Sequence, residues 1–187
     1  MLFYIKKYIW LELAVTLLLG SAGYIGIRSF DLPFDISFNL LTVVYGFAAF
    51  VAITGWTFLV QKGYAFLRGK EFAKQLTISL AKEYAEASPL QAIFGGITAA
   101  FGEELFFRGF IQGKWGIAAG TILFGLAHFG KKDIRVVSYW SFAHGLLFGL
   151  SYSLAGNLLV PMIAHGLFDL GGVVYFRIFM KNAPQPT

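Results

Sequence analysis

The chain has 187 residues, 57% of them hydrophobic and 13% charged, with mean hydropathy +0.67, whereas a soluble domain carries about 25% charged residues. That leaves too little polar surface to cover a globule, and it excludes a large soluble core in favour of apolar runs of about 20 residues that cross a bilayer. The net charge of +5 is spread between apolar segments and forms no single stripe, so nucleic acid is excluded as a partner and membrane topology accounts for the basic residues. Cysteine is absent, which removes disulfides, thiolate nucleophiles and Cys-based metal sites.

Taken in chain order, hydropathy predicts an all-α polytopic membrane bundle, one domain over 1–187, with about six spans near 8–27, 38–60, 90–112, 115–130, 135–154 and 158–179. The first run is expected to stay in the protein as a span and not to be cleaved. Residues 1–89 supply two N-terminal spans and a cytoplasmic amphipathic segment over 61–88, and they are expected only to add spans; residues 90–180 carry the catalytic helices. Ser88-Pro89 marks the start of the third span, with Pro in its first turn. Lys62, Arg68, Lys70, Lys74, Lys82, Lys131, Lys132, Arg135 and Lys181 fall on one side with Lys6 and Lys7, which puts both termini in the cytoplasm of a multi-pass cell-membrane protein. Glycines four apart (Gly109 and Gly113, Gly116 and Gly120, Gly145 and Gly149) are expected to serve close helix packing.

Against this apolar background stand Glu103, Glu104, Arg108, His128, His144, His165 and Asp169. A charge at bilayer depth costs at least ~2.5–3.5 kcal/mol, so such groups point to function. Counting 1.5 Å per residue from the outer turns puts Glu103 and Asp169 ~16 Å deep, His128 ~20 Å, His144 ~17 Å and His165 ~11 Å, four helices converging on one level. Glu104 and Arg108 stand at i,i+4 in the favourable order for a helical ion pair. Glu103 lies about 100° round the helix from Glu104, with Phe107 where a basic partner would be, and is the carboxylate left for general-base work. His165 and Asp169 are also at i,i+4, and Phe124 sits one turn before His128 as a wall.

Three motifs then resemble those of the CAAX-protease and bacteriocin-processing (Abi) family of intramembrane endopeptidases. They are Glu-Glu-Leu-Phe-Phe-Arg at 103–108 (Glu-Glu-x-x-x-Arg), Phe-Gly-Leu-Ala-His at 124–128 (Phe-x-x-x-His) and His-Gly-Leu-Phe-Asp at 165–169 (His-x-x-x-Asn/Asp); the resemblance covers about 90 to 169. It implies peptide-bond hydrolysis within the membrane on a membrane-anchored protein or peptide, a CAAX-type, leader or sorting-tail substrate, with the lipid bilayer as the other partner. By the same resemblance, Glu103 and His128 activate a water, His165 and Asp169 stabilise the oxyanion, and Glu104 with Arg108 supports the site.

Asp169 departs from the Asn of the prenyl-protein members, since an ionised carboxylate cannot donate to an oxyanion. A metal-free water mechanism is favoured; if zinc is bound, His128, His165, Glu103 and Asp169 are its ligands. His144 lies outside the motifs and is expected to be a hydrogen-bonded packing residue. The alternatives are a non-catalytic family member acting as scaffold or immunity factor, and a proton- or ion-coupled transporter whose polar groups would spread along the membrane normal.

Overall fold

The computed structural model describes residues 2–69, 78, 89–128 and 135–182, and all elements among them are helical. Helix α1 (Leu2–Ser29) and α2 (Leu40–Arg68) precede α3 (Pro89–Glu104), which passes without a break into a π-helical segment, Leu105–Gln112. Helix α4 (Gly113–Ala127), α5 (Arg135–Ala155) and α6 (Leu159–Asn182) complete the bundle. Pro89 opens α3 as expected, because its missing N–H lies among those a first turn leaves unpaired. Of the amphipathic helix expected over 61–88, residues 61–68 continue α2; residues 70–77 and 79–88, with Lys70, Lys74 and Lys82, lie outside the described residues, as do Lys131 and Lys132.

Three helical stretches among the described residues are long and apolar enough to cross a membrane: Trp10–Ser29, Leu40–Arg68 and Leu159–Ile178. Helix α4 falls short of the expected fourth span, because its 15 residues reach only about 22 Å against a ~30 Å hydrocarbon core. Gly116 interrupts it near the start with φ 85° and ψ 171°, a conformation open essentially to glycine alone. The chain reverses there, so α4 folds back along the π-helical segment. Gly116 thus makes a turn and not the packing contact expected of it.

The π-helical segment is the centre of the bundle. Leu105, Phe107, Arg108, Gly109, Ile111 and Gln112 are all buried on it, against α1, α4 and α3. Helix α1 reaches it through Gly23, where a Cβ would sit 2.7 Å from the backbone of Leu105 and Phe106. Gly96 likewise lets α3 pack against α6, a Cβ there lying 3.2 Å from Cβ of Asp169. At the other end, Asn39 caps α2 by accepting from Thr42 N at 3.0 Å, satisfying an otherwise unpaired donor of the first turn. Asn157 donates to the Ser37 carbonyl at 2.9 Å and Leu158 N to the Asp35 carbonyl at 2.8 Å. These bonds tie the α1–α2 connection to the α5–α6 turn, fixing α2 against α6.

Candidate active site

Glu103 and Glu104 are the last residues of α3, where the ladder changes from α to π, a form that occurs frequently at functional sites. Glu104 and Arg108 are fully buried, 0% exposed, and Arg108 Nε donates to Glu104 Oε2 at 2.9 Å. The guanidinium also stacks over Phe124, 4.7 Å from the ring centroid. The second carboxylate oxygen of Glu104 accepts from His165 Nδ1 at 2.8 Å. Glu104 is therefore a hub joining α3, the π-helical segment and α6, a cross-helix role that the i,i+4 spacing alone does not reveal.

Because Glu104 accepts at Nδ1, the His165 proton is assigned there and Nε2 is turned toward Asp169, whose Oδ2 lies 3.6 Å away. Phe148 stacks on the same ring at 4.5 Å and 23°, so a hydrogen bond and an aromatic face fix its orientation together. His128 is set in the same manner from its own helix: Nδ1 donates to the Phe124 carbonyl at 2.8 Å, and Nε2 faces Glu103 Oε2 at 3.9 Å. Helix α4 stops at Ala127, and His128 is its C-cap with φ −94° and ψ 5°. It stands just past a helix end and not inside a span as expected, which leaves its ring part-exposed. Glu103 Oε2 is buried and accepts no hydrogen bond among the described residues.

His128, His165, Asp169 and Phe124 line one cavity of about 280 Å³, and so does His144. His144 is hydrogen-bonded, as expected, through Nε2 to Thr57 Oγ1 at 2.9 Å. Helix α2 does more than add a span: Phe50, Thr54, Thr57, Phe58 and Gln61 form one wall of this cavity. Gln112 is another polar residue that the count of ionisable groups passed over; its amide donates to the Gly149 carbonyl at 2.9 Å and to Ser153 Oγ at 3.0 Å. A search for uncharged amides inside apolar runs would have found Gln112, whereas nothing in the sequence marks Thr57.

Among the described residues no group of three or more His, Asp and Glu is arranged to hold a metal ion. In the expected zinc set, Nδ1 of both His128 and His165 is taken by an acceptor, and the remaining Nε2 atoms face separate carboxylates, Glu103 and Asp169.

Residues 85–171 match the family described as type II CAAX prenyl endopeptidase Rce1-like. The uncharacterized protein YpbD of Bacillus subtilis (strain 168) is 36% identical over 88 residues, which are 47% of this chain and 47% of that protein. The chain spans about half the length of that curated relative. No solved structure matches the chain. The matched segment takes in all three motifs, so residues 85–171 are similar to an Rce1-like domain, within a chain whose long apolar helices mark it as a membrane protein.

Proposed function

We propose that the protein is an intramembrane endopeptidase that hydrolyses a peptide bond of a membrane-associated protein or peptide with water activated by Glu103 and His128. The observation that carries this reading is the Glu103 Oε2 to His128 Nε2 separation of 3.9 Å. Two polar atoms at that spacing can both reach one water oxygen at about 2.8 Å. Glu103 takes a proton from that water while the oxygen attacks the scissile carbonyl carbon. When the C–N bond breaks, the same carboxyl returns the proton to the leaving amine. His165 donates from Nε2 to the oxyanion when its ring carries both protons, with Glu104 accepting at Nδ1 and Asp169 beside Nε2. Arg108 neutralises Glu104 and so holds the donor in place.

Gathering of His128, His165 and Asp169 on one cavity supports a protease over a transporter, whose polar groups would extend along the membrane normal. The same reading takes the protein as a multi-pass protein of the cell membrane, with both termini cytoplasmic on the distribution of Lys and Arg.

The test is cleavage of a panel of membrane-anchored peptides by purified wild-type protein and Glu103→Gln in detergent, each with and without a strong chelator. Cleavage that survives the chelator and is lost in Glu103→Gln supports the reading. Cleavage abolished by chelation and restored by zinc would overturn the metal-free mechanism, and cleavage undiminished in Glu103→Gln would overturn the assignment of the base.

A further inference from the structure

His144 is the one histidine outside the three motifs, yet it lines the same cavity as His128, His165 and Asp169. Its surroundings fix its tautomer. Thr57 Oγ1 lies 2.9 Å from the Ile53 carbonyl, a group that can only accept, so the single hydroxyl hydrogen is spent there. The 2.9 Å contact between Thr57 Oγ1 and His144 Nε2 therefore has the ring donating and the hydroxyl accepting. In the neutral ring Nδ1 is then an acceptor. Phe168 packs edge-on against the imidazole at 4.7 Å, so it is held between Thr57 and an aromatic wall.

Two polar atoms on the cavity-lining residues lack partners among the described residues. Trp140 Nε1, a donor only, and Thr54 Oγ1, a donor or acceptor, are both buried without a hydrogen bond among the described residues. A buried polar atom left unpaired costs ~1–3 kcal/mol; Trp140 Nε1 calls for an acceptor such as a carbonyl, and His144 Nδ1, an acceptor, can take an N–H. A peptide main chain offers both in each residue. The rest of the wall is aromatic: Phe50, Phe58, Phe168, Tyr175 and Phe176. At about 280 Å³ the cavity lies below the ~300–1,000 Å³ of sites that enclose a whole small ligand, a size suited to one large side chain and its own stretch of main chain.

We propose that His144 is a substrate-positioning residue whose Nδ1 accepts one main-chain N–H of an extended peptide, the large apolar side chain of that residue filling the aromatic cavity between α2, α5 and α6. This rests on the endopeptidase reading for the identity of the occupant, but its test needs no turnover. The Glu103→Gln protein in detergent is titrated calorimetrically with an N-acetylated, C-amidated alanine decapeptide bearing a central Leu-Phe pair, and with its singly N-methylated analogues. One analogue should bind roughly 3- to 10-fold more weakly than the parent, the equivalent of one lost hydrogen bond.

His144→Phe, added to Glu103→Gln, keeps a ring between Thr57 and Phe168 but has no acceptor. There the same methyl group should have no further effect, a pairwise coupling that a merely structural histidine would not give. Equal binding of all analogues to the His144 protein, no binding of the parent, or an undiminished methyl effect in His144→Phe would each overturn the proposal. Should wild-type protein cleave peptides while the coupling is absent, this inference falls and the endopeptidase reading stands. Coupling without any cleavage by wild type would reverse that outcome.

Discussion

Removing Arg108 alone should destabilise the bundle far more than removing it together with Glu104. Both residues are fully buried, and the guanidinium lies 2.9 Å from Glu104 Oε2. Arg108→Met keeps most of the side-chain volume, so little cavity is created, but it leaves a carboxylate in the interior with His165 as its remaining partner. Breaking a buried pair in this way costs about 3–5 kcal/mol, and loss of the stack on Phe124 adds about 0.5–2 kcal/mol. That is a large share of the ~5–15 kcal/mol by which a folded protein is stable. In Glu104→Leu with Arg108→Met no charge is stranded, and the remaining costs are the unpaired His165 Nδ1, about 1–3 kcal/mol, and the same lost stack on Phe124, about 0.5–2 kcal/mol. Reversible unfolding by SDS in mixed micelles, followed by circular dichroism, measures both variants. A single variant within about 1 kcal/mol of wild type, or a double variant costing the sum of the two singles, would refute the argument that Glu104 depends on Arg108 for its charge.

Gly116→Ala should lower stability by about 1–3 kcal/mol in the same unfolding assay, because its φ of 85° and ψ of 171° fall where residues with a Cβ are strained; an unchanged midpoint would mean that the turn relaxes freely. Gln112→Leu should cost about 1–3 kcal/mol, because the Gly149 carbonyl and the Ser153 hydroxyl both lose their donor. A variant as stable as wild type would show that these two bonds carry none of the α5 contact. In peptide cleavage, Asp169→Asn should keep kcat within roughly tenfold of wild type, because an amide can donate to an oxyanion beside His165, whereas Asp169→Leu should lose about 10²-fold or more. Equal activity of the two variants would remove position 169 from the site.

The residues of the site were legible where the physics is that of a single helix turn. Glu104 and Arg108 at i,i+4 pair at 2.9 Å, and His165 and Asp169 at i,i+4 approach to 3.6 Å. The Phe-x-x-x-His spacing also gains a local meaning, because His128 Nδ1 bonds to the carbonyl of the motif's own Phe124. The fold was legible as a set of apolar helices, since insertion in lipid demands nothing subtler than length and hydropathy. The change to a π-helix at Leu105 was not, as no residue in Leu-Phe-Phe-Arg-Gly-Phe-Ile-Gln announces it. Nor was the turn at Gly116, because a glycine in an apolar run serves close packing as readily as a reversal.

What spacing cannot supply is the partner on another helix. Glu104 with His165, Glu103 with His128, and Thr57 with His144 are separated by dozens of residues in the chain, and each depends on how two uniformly apolar helices are rotated against one another. These cross-helix pairs set the three tautomers or their direction: His165 protonated at Nδ1 by Glu104, His144 at Nε2 by Thr57, and His128 at Nδ1 by its own turn with Nε2 toward Glu103. Two of the rings aim Nε2 at a carboxylate, and the third keeps Nδ1 as an acceptor. The proposed division of labour between residues that handle protons and a residue that holds a peptide amide thus rests on which nitrogen each neighbour takes, and Thr57, the least conspicuous of those neighbours in the sequence, decides it for His144.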